Sequence, residues 1–140
     1  MIHALSTALY SRLQGTAITA LLAGTTSIYH MQAPEGASFP YIVWNIQGGG
    51  DENLDANRTK NLVLFIRTFV KRQAGTSAGS LAGSIDAQVD AALHLAPLTL
   101  SGWSNIWLAR ESDLELVQTE PTGNEIYMAG GLYRCRLDKE

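Results

Sequence analysis

Four oxygen-bearing side chains fall at alternate positions in one short stretch: Asp51, Asn53, Asp55 and Asn57. That spacing matches the opening of a calcium loop, whose ligands sit at positions 1, 3, 5 and 7. The rest of the pattern fails: Ala56 stands where the loop needs glycine and Leu62 where it needs glutamate. The stretch therefore reads as a solvated loop whose Asn and Asp side chains bond their own backbone. A second set, Glu111, Asp113 and Glu115, is spaced to line one face of a strand. Paired carboxylates can do acid–base work once an apolar cleft separates their pKa values. No such cleft is evident around "ESDLE", which reads instead as a solvated or intersubunit edge.

The remaining chemistry-bearing residues are no better organised. His3, His30 and His94 have no His or Glu three or four positions on, so none opens a helical metal pair. Cys135 falls among the inward positions of a strand, between Arg134 and Arg136, which point outward. A buried structural thiol is expected there, not a nucleophile. Gly48-Gly49-Gly50 follows a strand but lacks the lysine and hydroxyl of a phosphate loop. "GTSAGS" has serines without a nucleophile elbow. Trp44, Trp103 and Trp107 could stack on bases or sugars, although packing is the commoner use of tryptophan. The search yields no catalytic, metal or cofactor site, and the chain is expected not to be an enzyme.

The elements around these residues follow from periodicity. Ile2, Leu5, Leu9 and Leu13 mark one face of an amphipathic helix, ended by Gly15. Ile18, Leu21 and Leu22 give a short second helix, capped by Thr16 and closed by Gly24. Ser27–Met31 predicts a short strand and Gln32–Phe39 a loop. Pro40 then opens a strand to about Gln47, with Ile42, Trp44 and Ile46 on one face and Tyr41, Val43 and Asn45 on the other. The glycine triplet is expected to break that strand, and the polar Gly48–Lys60 segment to form a long, mobile loop. Asn61–Arg72 is the strongest strand, pairing antiparallel with the one before it.

Leu81, Ile85, Val89, Ala92 and Leu93 predict a helix, with small residues Gly79 and Gly83 available for close packing. Ile106–Leu116 reads as a strand distorted at "ARESD", Thr119–Asn124 as a turn, and Ile126–Leu137 as the last strand. In that strand Tyr133, Cys135 and Leu137 face inward. The expected class is α+β: an antiparallel β-sheet with helices packed on one face, forming a single domain over residues 1–140.

Composition bounds the function. Hydrophobic residues make up 46% of the 140-residue chain and charged residues only 16%. The charged share falls below the roughly 25% usual for soluble domains. Either the core is generous or neighbouring subunits cover part of the apolar surface. The net charge is −3 and no Lys/Arg block is present. This argues against a free-standing nucleic-acid binder, though DNA could pass nearby without being gripped. One cysteine excludes an intrachain disulfide. No signal peptide or membrane span is expected, and the protein is expected to be made and folded in cytoplasm.

In order and content the chain resembles the small tail-completion proteins of long-tailed phages, the tail terminator family. Four segments carry the likeness: "IHALSTALYSRL" with "AITALLAG"; "IYHMQAPEGASFPYIVW"; "LFIRTFVKR" followed by "SIDAQVDAAL"; and "ARESDLELVQTEPTGNEIYMAGGLYRCRL". The chain departs from the family's usual tight connection at Arg72–Ser80, which is long and rich in Gly and Ser. The resemblance implies a virion structural protein with no catalytic residues. Such proteins assemble, usually as hexameric rings, on the end of the tail tube, stop its growth and face the head–tail connector, in the neck of the particle. DNA crosses the lumen without specific binding, and no membrane is involved.

The implied partners are copies of itself, the tail tube protein and the connector. Ring or docking contacts are expected from two loops: Pro34, Glu35, Gly36 and Phe39 in one, and Asp51, Glu52, Asp55 and Arg58 in the other. The alternatives are another head–tail adaptor or tube subunit, a metal-dependent hydrolase using Glu111–Glu115, and a calcium-binding module.

Overall fold

The computed structural model describes residues 1–52, 58–75 and 77–140. Its elements are α1 (Ile2–Leu13), α2 (Thr16–Leu21), β1 (Ile28–His30), β2 (Tyr41–Glu52), β3 (Thr59–Lys71), α3 (Ala78–Leu93), β4 (Thr99–Leu100), β5 (Trp103–Thr119) and β6 (Glu125–Lys139). The strands form one six-stranded sheet in the order β1-β2-β3-β6-β5-β4.

α1 buries Leu5, Ala8, Leu9 and Leu13, while Ile2, its first residue, stays half exposed. α3 buries Ala78, Ala82, Ile85, Val89 and Leu93. Its start is capped by the Ser77 hydroxyl, which accepts from the Ser80 amide at 3.4 Å. Its end has no basic residue of its own. Arg12 of α1 supplies one, donating to the carbonyls of Ala92, Ala96 and Pro97 at 2.9–3.0 Å. The Ala92 carbonyl is one of those the helix end leaves unpaired, and the other two belong to the segment that follows it.

Both helices pack against one face of the sheet. That face carries Ile42 and Trp44 of β2, Leu62, Leu64, Ile66 and Val70 of β3, Leu108 of β5, and Tyr133, Cys135 and Leu137 of β6. Burying side chains of this size contributes about 1.5–3 kcal/mol each. Burial pushes the Cys135 thiol up to about 12, so it is inert at neutral pH, as its inward position predicts.

The sheet is mixed, which corrects the antiparallel expectation. β1 runs parallel to β2, pairing Ile28 with Ile42 and His30 with Trp44. Instead of reversing at a hairpin, Met31–Pro40 carries the chain back to the start of β1, with left-handed backbone at Met31 and Gly36. The triple glycine does not break β2. A bulge between Ile46 and Gly48 absorbs it, and pairing with β3 resumes out to Glu52 and Thr59. At Gly49 (φ +94°) a Cβ would run into the Asn61 carbonyl oxygen, so glycine is what allows the ladder to continue. Most of the expected Gly48–Lys60 loop is therefore strand.

Candidate interaction surfaces

The two loops expected to make contacts lie at opposite ends of β2. They are separated by roughly 36 Å at ~3.3 Å per residue over Tyr41–Glu52. In the first, the Ala37 amide donates to the Pro34 carbonyl at 3.0 Å, closing a turn at Gly36. Pro34, Glu35 and Gly36 are exposed. Phe39 is half-buried, its ring 4.8 Å from that of Tyr41, so it anchors the loop.

In the second, Asp51 accepts from Arg58 at 2.8 Å and Lys60 at 2.6 Å. These hydrogen bonds hold the Asp51 carboxyl down to about 2. Glu52 accepts from the Asn61 amide at 2.8 Å. Its other oxygen lies 3.0 Å from the Arg136 guanidinium, without hydrogen-bond geometry. Asp51, Glu52 and Arg58 are thus engaged within their own chain. Asp55, like the rest of the suspected calcium-loop opening after Asp51, lies outside the described residues.

The carboxylates of "ESDLE" do not share one face. A bulge between Arg110 and Ser112 turns Glu111 toward Arg134, at 3.2 Å on the side away from the helices. Asp113 meets Arg110 at 2.6 Å on the helix side. Arg110 is the centre of the densest polar cluster. Its guanidinium also grips Asp86 of α3 at 2.7 and 2.9 Å, the Tyr133 hydroxyl at 3.1 Å and the Gly130 carbonyl at 2.8 Å. Its backbone amide donates to His94 Nδ1 at 3.0 Å. Burial alone would lower the Arg110 pKa, but the bonds to Asp86 and Tyr133 outweigh it and raise it. Burial likewise raises Tyr133. Asp86 and Asp113 are both paired with the Arg110 guanidinium, so the cluster fastens α3 to the sheet. Among the described residues, no group of His, Cys, Asp and Glu is arranged to ligate a metal.

Two further surfaces stand open, and sequence reasoning placed neither beyond the "ESDLE" segment, which it read as a solvated or intersubunit edge. The first is the sheet face away from the helices. Tyr41, Val63, Phe65, Phe69, Met128 and Leu132 lie there half-buried, and among the described residues no element covers them. Tyr29, Phe39 and Phe69 surround Tyr41 with ring centroids 4.8–6.1 Å away. Arg67 lies over Phe65 at 4.8 Å and Phe69 at 5.5 Å, a cation–π arrangement. Burial lowers its pKa, yet it has no carboxylate partner among the described residues. One guanidinium nitrogen donates to Asn45 at 3.2 Å, and Nε has no partner.

The second surface is the outer edge of β5. β4 covers Trp103–Ser104, and the His94–Leu95 segment covers Leu108 and Arg110. Ser112–Thr119 is hydrogen-bonded only to β6, with Leu116 58% and Val117 53% exposed. The signal for the first surface was the apolar second face of β3 in a chain whose helices suffice for one face only.

This is the architecture of a structural subunit with unfinished apolar surfaces. The model of the family described as tail completion protein gp17 matches residues 7–126. The chain belongs to that family, as its four resembling segments predict, and is a structural protein of the phage virion. One solved chain, from the "Virion of native gene transfer agent (GTA) particle", is similar in fold, with a TM-score of 0.77 at 22% identity. The match covers 98% of this chain and 96% of that one. No curated protein matches the sequence.

Proposed function

We propose that this protein is a single-domain, ring-forming tail terminator: it caps the tail tube, stops its growth and joins the tail to the head–tail connector. One observation carries the reading. The sheet leaves two different surfaces unfinished, an apolar face centred on β2 and β3 and a free edge on β5. Two unlike surfaces favour head-to-tail contact, and such contacts repeat until a ring closes.

The Pro34–Phe39 turn and the ion-paired Asp51–Arg58 end then sit at opposite ends of β2, suited to meeting the tube and the connector separately. With a net charge of −3, the lumen lets DNA slide without repeated phosphate capture. A structural role also accounts for polar side chains spent on internal ion pairs instead of on catalysis.

The test is native mass measurement of the purified protein together with imaging of particles lacking it. A hexamer, and overlong tails or tails without heads, are expected. Normal tails on full heads would refute the reading.

A further inference from the structure

Charge is segregated along the chain, and the ion pairs among the described residues account for only part of it. From Glu111 to Tyr133 there are five carboxylates, Glu111, Asp113, Glu115, Glu120 and Glu125, and no cation. From Thr59 to Arg72 there are four cations, Lys60, Arg67, Lys71 and Arg72, and no carboxylate. Three of the five acids are satisfied within the chain: Glu111 by Arg134, Asp113 by Arg110, and Glu125 by Arg72. Glu115 and Glu120 make no ion pair among the described residues. On the cationic strand, Lys60 is held by Asp51 and Arg72 by Glu125, while Arg67 and Lys71 have no carboxylate among the described residues. Glu115 on the β5 edge and Arg67 on the aromatic face are thus charges of opposite sign without an ion pair among the described residues, while Glu120, at the hairpin tip, is close enough to Tyr41 of its own chain to raise that hydroxyl's pKa.

We propose that the β5 edge of one copy seats on the aromatic face of the next, with Glu115 and Glu120 supplying the carboxylates for Arg67. The occupant is a second copy of this chain because the chain carries both halves of the match. Leu114 and Leu116, on the side of β5 away from the helices, and Val117, on its helix side, are the exposed apolar residues that the edge brings to Tyr41, Phe65 and Phe69 of the next copy. Glu115 points to the helix side of β5, opposite Ala129, and Glu120 sits at the hairpin tip. An incoming edge therefore offers a free carboxylate on its helix side and another at its end. A guanidinium already placed over two rings, 4.8 and 5.5 Å from their centroids, has less freedom to lose on meeting a carboxylate, which lowers the ordering cost of the contact. The contact rests on the proposed ring and specifies how that ring is joined.

The experiment is a charge swap read by native mass spectrometry and sedimentation across a concentration series. Wild type assembles. Arg67→Glu alone, and Glu115→Lys with Glu120→Lys, each raise the half-assembly concentration about 30-fold or more, the scale of a close interfacial charge pair. The three changes combined in one chain restore assembly toward wild type. Arg67→Gln, which keeps the polar contact to Asn45 within reach, weakens assembly less than Arg67→Glu. Each variant's circular dichroism and melting point check that it is folded. Unaltered assembly of folded Arg67→Glu, or no recovery in the combined variant, overturns the contact and leaves the ring standing. A wild type that is monomeric at every concentration overturns both. If Arg67→Glu assembles normally but no longer retains duplex DNA, the face is a phosphate site and the proposal fails.

Discussion

Arg110 on β5 and Asp86 on α3 form a two-pronged ion pair, 2.7 and 2.9 Å long, with only 10% and 16% of the two side chains exposed. Among the described residues, no other side-chain contact ties the helix layer to the outer strands through so many hydrogen bonds. It also explains why β5 bulges where it does, since the chain must turn Asp113 toward the same guanidinium.

Removing one partner of a buried pair leaves the other charge without compensation. Arg110→Ala is expected to destabilise the fold by about 3–5 kcal/mol. Arg110→Lys should recover little, because lysine cannot reproduce the planar fork. Urea unfolding measures both, and a loss below about 1 kcal/mol for Arg110→Ala would contradict the role assigned to the cluster.

The glycines of β6 and α3 differ in what surrounds them. A Cβ at Gly131 would sit 2.7 Å from Arg110 Nε and the Ser112 carbonyl, and one at Gly130 would collide with the Ile66 carbonyl. Alanine at either is expected to cost about 1–3 kcal/mol through overpacking. At Gly83, by contrast, a Cβ meets nothing within 4 Å. The close packing expected of Gly83 from sequence is therefore absent, and Gly83→Ala should stabilise α3 by about 1 kcal/mol. Thermal melting of the three variants should show opposite signs; a destabilising Gly83→Ala would contradict the helix assignment at that position.

Asp51 gives the pH dependence. Its folded pKa, about 2, lies below the ordinary 3.8 because Arg58 and Lys60 stabilise the charged form. A depressed carboxylate contributes stability above its unfolded pKa, and that contribution is lost as pH falls through the folded one. The stability gap between wild type and Asp51→Asn should therefore be constant above pH about 4 and close toward pH about 2. Salt should narrow it at neutral pH, since the pair is exposed. A melting series in acid checks this, and a gap that widens on acidification would be the wrong sign.

Local features were legible in the sequence because their causes are local. The 3–4 spacing of Leu5, Leu9 and Leu13 needs only a helix and an apolar surface to be buried. The alternation of Tyr133, Cys135 and Leu137 needs only a strand with one wet side. The resemblance in four segments led to the right family because it rests on the order of such elements. The direction of β1, the passage of β2 through three glycines, and the grip of Arg110 on Asp86 were decided only in three dimensions.

Each of those depends on groups far apart in the chain. Whether Ile28 pairs with Ile42 in parallel depends on where Met31–Pro40 returns the chain, which no local propensity encodes. Gly49 is tolerated in a strand because Asn61, on the neighbouring strand, leaves room for nothing larger. The open aromatic face around Arg67 was written in the alternation of β3, but its exposure was not. Periodicity reports which residues share a side, whereas only the packed fold decides which side the helices cover.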